Sequence, residues 1–346
     1  MGGRIVAITI AAWCASIGTA QAADQWSDPL PGVRLLRRTT NTPQKIFALQ
    51  IDLCHDGVAL RATKSGERQR TVSSFAGLVG ADAAINGDFF SYADYSTSGL
   101  AIGAGEQWSD TVDTNGAGVV AFGRGRAEIR KPSQVLDPPE AWMRNVVSGH
   151  PGLVDKGVPL DANSGDLCLR NPRTASGISA DGRTLWLVVV DGRTTASVGM
   201  TCTELADLMH ELGAWQSINN DGGGSSTMWV SGDVVNSPSD GAQRVVGNHL
   251  GLIASGFGEP GSCDRSREEA TVHGDPIGAS TTSDIDGDGR PDLCARAAAG
   301  MRCHLASDTG FGEAIVGPEL SDELGWDQPA RYGTIRMGDV DGDGKA

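Results

Sequence analysis

With 346 residues, 39% of them hydrophobic, the chain has enough apolar material for one large domain and a smaller one, which excludes wholesale disorder. Its 43 acidic and 28 basic residues give a formal net charge of −15, so nucleic acid and anionic membranes are excluded as natural partners. The same charge repels anionic substrates at long range, so binding a phosphate requires arginines placed beside it, and Arg173 and Arg193 are the candidates.

The N-terminus reads as an export signal. Arg4 supplies the positive start, Ile5 to Ile17 the apolar stretch, and Ala20-Gln21-Ala22 a small-x-small cleavage site. The stretch is too short to span a bilayer, and no other transmembrane candidate follows. Residues 1–22 are therefore expected to be removed on the way to a secreted or periplasmic location. Cleavage takes Cys14 and leaves Cys54, Cys168, Cys202, Cys263, Cys294 and Cys303, an even set that in an exported chain points to disulfides. Cys294 and Cys303 flank a short turn and are the expected bridge, while the other four leave three pairings open. No C-x-x-C or H-x-x-x-H spacing occurs, so zinc has little support and no organic cofactor is implied.

Ile46 to Leu53 alternate, with Phe47, Leu49, Ile51 and Leu53 on one face. This predicts a half-buried strand, continued as a hairpin by Val58 to Ala62. Ala83 to Asn86 predicts a short buried strand that delivers Asp88 at its end. Leu185 to Val190 is continuously apolar, as for a strand covered on both faces, and Asp191-Gly192-Arg193 forms its exit turn. Thr201 and Glu204 then make a capping box, Leu205, Leu208, Met209 and Leu212 a core-facing helical stripe, and Gly213 a C-terminal stop. A strand at about Trp215 to Asn219 completes a β–α–β pattern. Asp191 and Asp221 are thereby expected just past the carboxyl ends of neighbouring strands, the end where ligands collect in open α/β sheets. The expected fold class is α+β, built on a mixed sheet.

The densest chemistry lies at Asn219-Asn220-Asp221-Gly222-Gly223-Gly224-Ser225-Ser226-Thr227. Three consecutive glycines between apolar runs suit a backbone that adopts positive φ or approaches a ligand closely, although a plain glycine-rich hairpin would use them too. Around them stand an acid, amides and hydroxyls. Two further polar turns follow apolar runs, at Ala84-Ile85-Asn86-Gly87-Asp88 and Asn171-Pro172-Arg173-Thr174-Ala175.

Together with Leu185 to Arg193 and Thr203 to Met209, these ordered motifs resemble the phosphodiester glycosidase family over about Ile46 to Ser255. The family usually carries an apolar residue where this chain has Asn220. The resemblance implies a hydrolase acting on a glycan or sugar-1-phosphodiester, of the N-acetylglucosamine type. A phosphate monoester, with a second pKa of about 6, leaves without full protonation. One carboxylate and a phosphate clamp would therefore suffice, in place of the usual glycosidase pair. Asp221 is the leading catalytic carboxylate, with Asp88 and Asp191 behind it. Arg173 is the expected bidentate clamp. Gly222, Gly223 and Gly224 are expected as an anion nest, and Asn86, Thr174, Arg193, Asn219 and Ser225 as further substrate contacts. Plain turn roles for Asp88 and Asp191 fit the same residues. Ser225 as nucleophile is disfavoured, because the closing glycine of a nucleophile elbow is missing.

The domain is expected over 23–257 and a Gly/Pro/Ser-rich linker over 258–280. In 281–346, Asp284-Ile285-Asp286-Gly287-Asp288-Gly289 is echoed by Asp339-Val340-Asp341-Gly342-Asp343-Gly344. Asp284, Asp286, Asp288 and Asp292 have the spacing of oxygen ligands for Ca²⁺, and the loop resembles FG-GAP/VCBS repeats. A competing reading of the whole chain is a non-catalytic carbohydrate- or phosphate-binding surface module with calcium-dependent adhesion repeats.

Overall fold

The computed structural model describes residues 23–254, apart from 56, 112–115, 124–125 and 162–164, together with 285–286, 292–297, 300–307, 310–316 and 320–321. The expected signal segment, the linker over 258–280 and the second acidic loop lie outside the described residues. No described helix is long and apolar enough to cross a membrane.

Three strands open the domain, β1 (Ala23–Leu30), β2 (Val33–Thr39) and β3 (Lys45–Asp52). The chain then supplies β4 (Ala59–Ala62), helix α1 (Val72–Val79) and β5 (Ala83–Asn86). A separate sheet follows from β6 (Ile102–Gly103), β7 (Glu106–Gln107), β8 (Gly118–Gly123), β9 (Arg126–Arg130) and β10 (Asn145–Gly149). Next come β11 (Gly152–Asp155), β12 (Val158–Pro159), β13 (Arg173–Ile178), β14 (Thr184–Val190), helix α2 (Cys202–Glu211) and β15 (Gln216–Asn219). The domain closes with β16 (Met228–Val230), β17 (Asp233–Val234) and β18 (His249–Ile253).

The first sheet runs β1-β2-β3-β14-β13-β15-β11-β12, and the second β17-β16-β5-β18-β4. Every described strand pairing is antiparallel, so the sheets are not mixed as expected. The physical reason is the place of β13, which pairs antiparallel with both β14 and β15. The two strands flanking α2 do run in the same direction, but with β13 between them rather than side by side.

The two sheets pack face to face. Leu49, Ile51, Leu187, Val189 and Ile218 of the first meet Ala83, Ile85, Met228, Leu250 and Leu252 of the second in one core cluster. On the outer face of the first sheet Ile46, Ala48, Trp186, Val188 and Val190 pack against Leu205, Ala206, Leu208 and Met209 of α2. Phe75 and Ala76 of α1 cover Ala84 on the outside of the second. The layers are helix, sheet, sheet, helix, mostly β by content. Each large side chain buried in these interfaces contributes about 1.5–3 kcal/mol.

β14 is covered on both faces, as its continuous apolar run predicts. β3 is too, against the half-buried expectation, because the small Ala48 and Ile46 fill the α2 side. Val58 to Ala62 is not a hairpin with β3. β4 pairs with β18, so the turn at His55 carries the chain from one sheet to the other. Helix α2 starts as its capping box predicts: Thr201 Oγ1 accepts from Glu204 N at 3.2 Å and Glu204 Oε2 from Thr201 N at 2.9 Å. A disulfide between Cys168 and Cys202 ties that first turn to the chain before β13. Cys54 is also disulfide-bonded.

A three-stranded antiparallel sheet, β19 (Leu293–Ala297), β20 (Gly300–Ser307) and β21 (Gly310–Val316), carries the expected Cys294–Cys303 bridge. Of the four expected calcium ligands, Asp284 and Asp288 lie outside the described residues, and Asp286 is exposed. Asp292 is buried, with Oδ2 accepting from Ile285 N and Oδ1 from Ala306 N, both at 2.6 Å. Both oxygens thus fasten the loop to β20. Among the described residues no three acidic, histidine or cysteine side chains gather as a metal site.

Candidate active site

The ends of β5, β14 and β15 and the start of β13 meet where the two sheets abut. Asn86, at the end of β5, is fully buried and links them: its Nδ2 donates to Asp221 O at 2.7 Å, and its Oδ1 accepts from Thr174 Oγ1 at 2.9 Å and Thr227 N at 3.1 Å. Asp221 N in turn donates to Gly87 O at 2.9 Å. The glycine turn is therefore held by residues of the opposite sheet. Asn220, where the family usually carries an apolar residue, fits because it is saturated. Its Oδ1 accepts from Ser176 Oγ at 2.8 Å and its Nδ2 donates to Ser148 O at 3.1 Å.

Asp221 stands half-buried on this turn. Burial pushes its carboxyl up to about 6, against the lowering effect of Ser225, of the Arg244 charge and of the Gly222 N–H. Asp88 lies deeper, 1% exposed, with Oδ1 accepting from Phe89 N and Oδ2 from Gly99 N, each at 2.7 Å. Burial raises it to about 7 despite those two bonds, and the nearby Asp221 charge adds to the rise. Two carboxyls with raised values thus share one low-dielectric corner, and the more accessible one ionises first.

Asp191 is buried at the end of β14. Its Oδ1 accepts from Asn236 Nδ2 at 3.0 Å and Ser237 N at 2.9 Å, its Oδ2 has no partner, and burial raises its pKa. Asn236 also donates to Ser226 O at 3.1 Å, so Asp191 is connected to the glycine turn through that amide. Asn219 Nδ2 donates to His150 O at 2.8 Å, and its Oδ1 is buried without a partner.

Arg173 is not placed as a clamp. It is 2% exposed, and its Nε, NH1 and NH2 donate to the carbonyls of Met200, Leu167 and Leu169. Burial lowers its pKa to about 10, so it stays charged while bracing the segment before β13 and the entry to α2. Of the expected anion nest, Gly223 N is spent internally on Pro172 O at 2.9 Å, as is the neighbouring Ser225 N on Gly222 O at 3.2 Å. The glycines also serve shape. Gly223 has φ +60°, and a side chain on Gly224 would overlap Arg244 and Asp240.

The cations that do reach the turn are Arg193 and Arg244. Arg193 lies against Gly223, and Arg244 donates through NH1 to Ser225 Oγ at 3.3 Å. Arg244 pairs with Asp240 Oδ2 at 2.6 Å, and Arg193 NH1 lies 3.9 Å from Asp240 Oδ1. Arg244, Asp240 and Asn236 escaped the sequence reading because they sit in an irregular polar segment between β17 and β18, with no apolar period or motif to mark them. Asn248, whose Oδ1 accepts from Asp88 N at 2.7 Å, was hidden in the same way. Of the histidines near the site, His249 is no base. Burial pushes it down to about 3, and its ring is fixed between Thr63 Oγ1 and Arg70 O and stacked on Phe75.

Two cavities of the described residues lie elsewhere. A groove of about 790 Å³ runs along Asp28 to Arg34 and Asp181 to Thr184, and a pocket of about 220 Å³ lies between Ile129, His150 and Ile218; neither is lined by Asp88 or Asp221. The convergence of raised carboxyls, arginines and a glycine turn is what marks the site.

The model of the phosphodiester glycosidase family matches residues 79–253, half of the chain, with the whole site inside the match. The chain belongs to the phosphodiester glycosidase family. Among curated proteins, the chain is 41% identical over 81 residues to the SPbeta prophage-derived uncharacterized protein YomE of Bacillus subtilis, a stretch that spans 23% of the chain and 12% of that relative. Among solved structures the fold is shared with a hypothetical protein from Synechocystis, at TM-score 0.53 and 15% identity over 68% of this chain and 64% of that one. It is shared too with a putative exported protein from Burkholderia pseudomallei, at TM-score 0.50 and 20% identity over 62% and 75%. The catalytic domain of zebrafish N-acetylglucosamine-1-phosphodiester alpha-N-acetylglucosaminidase matches at TM-score 0.50 and 20% identity, over 69% of this chain and 85% of that domain. The chain thus spans a small part of its curated relative and just under two thirds of the first of these structures.

Proposed function

We propose that this phosphodiester glycosidase is exported and hydrolyses the glycosidic bond of a sugar-1-phosphodiester, of the N-acetylglucosamine type, to free sugar and a phosphomonoester. The observation that carries the reading is Asp221, a half-buried carboxylate with a pKa raised to about 6, on a turn flanked by Arg193 and Arg244. The name of the zebrafish enzyme supplies the sugar class.

In this reading Asp221 faces the anomeric carbon. As the bond from that carbon to the phosphate oxygen lengthens, the carboxylate stabilises positive charge on the sugar and takes the proton of the water that adds there. The electron pair of the broken bond stays on the phosphate, whose charge Arg193 and Arg244 offset, so no strong general acid is needed. Asp88 and Asp191 act as positioning residues. The first holds Phe89 and Gly99 behind the site, and the second holds Asn236 against Ser226. Asn86 and Thr174 fix the turn between the sheets.

The test offers the purified protein N-acetylglucosamine 1-(methyl phosphate) and measures free sugar, beside the plain methyl glycoside. Release from the diester, much slower release from the glycoside, and loss of release in Asp221→Asn with unchanged circular dichroism are expected. Equal turnover of both substrates, or an active Asp221→Asn, would overturn the mechanism. Binding without release would favour the surface-module reading.

A further inference from the structure

The two arginines at the turn share a third partner. Asp240 Oδ2 accepts from Arg244 NH2 at 2.6 Å and Nε at 3.0 Å, and its Oδ1 lies 3.9 Å from Arg193 NH1. One carboxylate therefore bridges both guanidiniums, as a phosphate would. The bridge is built in: Gly224 leaves room for Asp240 and Arg244 against the turn, and Ser225 Oγ holds Arg244 from the other side. All three charged side chains remain partly exposed, Arg193 at 48%, Arg244 at 26% and Asp240 at 39%, so a solute can reach them.

We infer that Asp240 is a specificity residue which matches the arginine pair to a singly charged phosphoryl group and disfavours a doubly charged one. The inference rests on the phosphodiester reading above. With Asp221 ionised at pH 7.5, its carboxylate and that of Asp240 together balance the two guanidiniums, so the site tolerates the one negative charge of a diester better than two. A monoester above its second pKa of about 6 brings one charge more, with Asp240 beside it to repel it. The reaction turns the first species into the second, so the same charge that admits the substrate expels the phosphate product. Below pH 6 the monoester carries one charge and the distinction fades.

The experiment titrates the full chain with dimethyl phosphate and with methyl phosphate, followed by phosphorus NMR at pH 5.5 and 7.5, in wild type and in Asp240→Asn. Wild type should prefer the diester at pH 7.5 and lose most of that preference at pH 5.5. Asp240→Asn, which keeps an oxygen for Arg244, should bind methyl phosphate about tenfold tighter relative to dimethyl phosphate at pH 7.5. Wild type with no preference at pH 7.5, or an unchanged ratio in the variant, would overturn the inference while leaving the phosphodiester reading intact. Wild type that binds neither ester would instead sink the phosphodiester reading, and the inference with it. If that variant fails to fold, Asp240→Ser read at pH 7.5 takes its place, because Asp221 titrates near 6 and shares the pH window of the monoester.

Discussion

Asp88 offers the sharpest physical test, because its charge and its hydrogen bonds can be separated. In the unfolded chain it titrates near 3.8 and in the folded protein near 7, so between those values the native state holds more protons than the unfolded one. Stability therefore falls as pH rises through that window. The full cost above pH 7 is about 4 kcal/mol, of which about 3 kcal/mol accumulates between pH 5 and 8. Asp88→Asn removes the titration. It also turns one acceptor into an amide that faces the N–H of Phe89 or Gly99, which costs about 1–3 kcal/mol at every pH. The variant should thus gain about 3 kcal/mol on wild type between pH 5 and 8, and be the more stable of the two at pH 8. Urea midpoints of the oxidised proteins, taken at pH 5, 6, 7 and 8, measure the two curves. Parallel curves would show that burial does not hold Asp88 protonated and would remove the argument that Asp221 is the corner's ionised carboxylate.

Activity should require ionised Asp221, so kcat/KM for the sugar phosphodiester should fall as pH drops through about 6; a flat profile from pH 5 to 7 would contradict the role. Arg173→Lys keeps the charge but cannot reach three carbonyls, and should cost about 2–4 kcal/mol in urea unfolding while leaving the KM of the folded fraction near that of wild type. A raised KM without lost stability would restore Arg173 as a clamp. Gly224→Ala should displace Arg244 and Asp240 and weaken dimethyl phosphate binding at least tenfold, read by the same NMR titration, with little change in the circular dichroism of the sheets. Replacing Cys168 and Cys202 together by Ser opens a closure of 34 residues and should cost about 4 kcal/mol on the chain-entropy estimate, seen as a lower melting temperature of the oxidised protein.

Elements with a strong local code were legible in the sequence. β5 and β14 run where their apolar stretches placed them, and α2 begins at its Thr201–Glu204 box. The polar turns at Asn86 and Asp221 were recognisable because an apolar run ends at each, whereas Thr174 lies in β13 and not in a turn. What failed was non-local. Nothing in Arg173 itself says that three carbonyls from the preceding loop and the entry to α2 will close around its guanidinium. The β–α–β pattern fixes the direction of β14 and β15 but not that β13 lies between them, since that pairing comes from a strand earlier in the chain. Arg244 and Asp240 share a stretch of Ser, Pro, Gly and charge whose shape is set by the turn it covers. In β3, the large Phe47, Leu49 and Ile51 obscured the burial of the small Ala48 opposite.

The acid of this site is carried by one sheet and pinned by the other, with Asn86 crossing the seam to Asp221 O and Gly87 O receiving the Asp221 amide. No portion of the chain that builds only one sheet can therefore hold the reactive turn in shape. Proteolytic halves should be silent separately, and slow exchange of the Asp221 amide should report the parting of the two layers. Loss of turnover in denaturant should coincide with that parting instead of preceding it, so the protein would pass from fully competent to inert with no crippled intermediate.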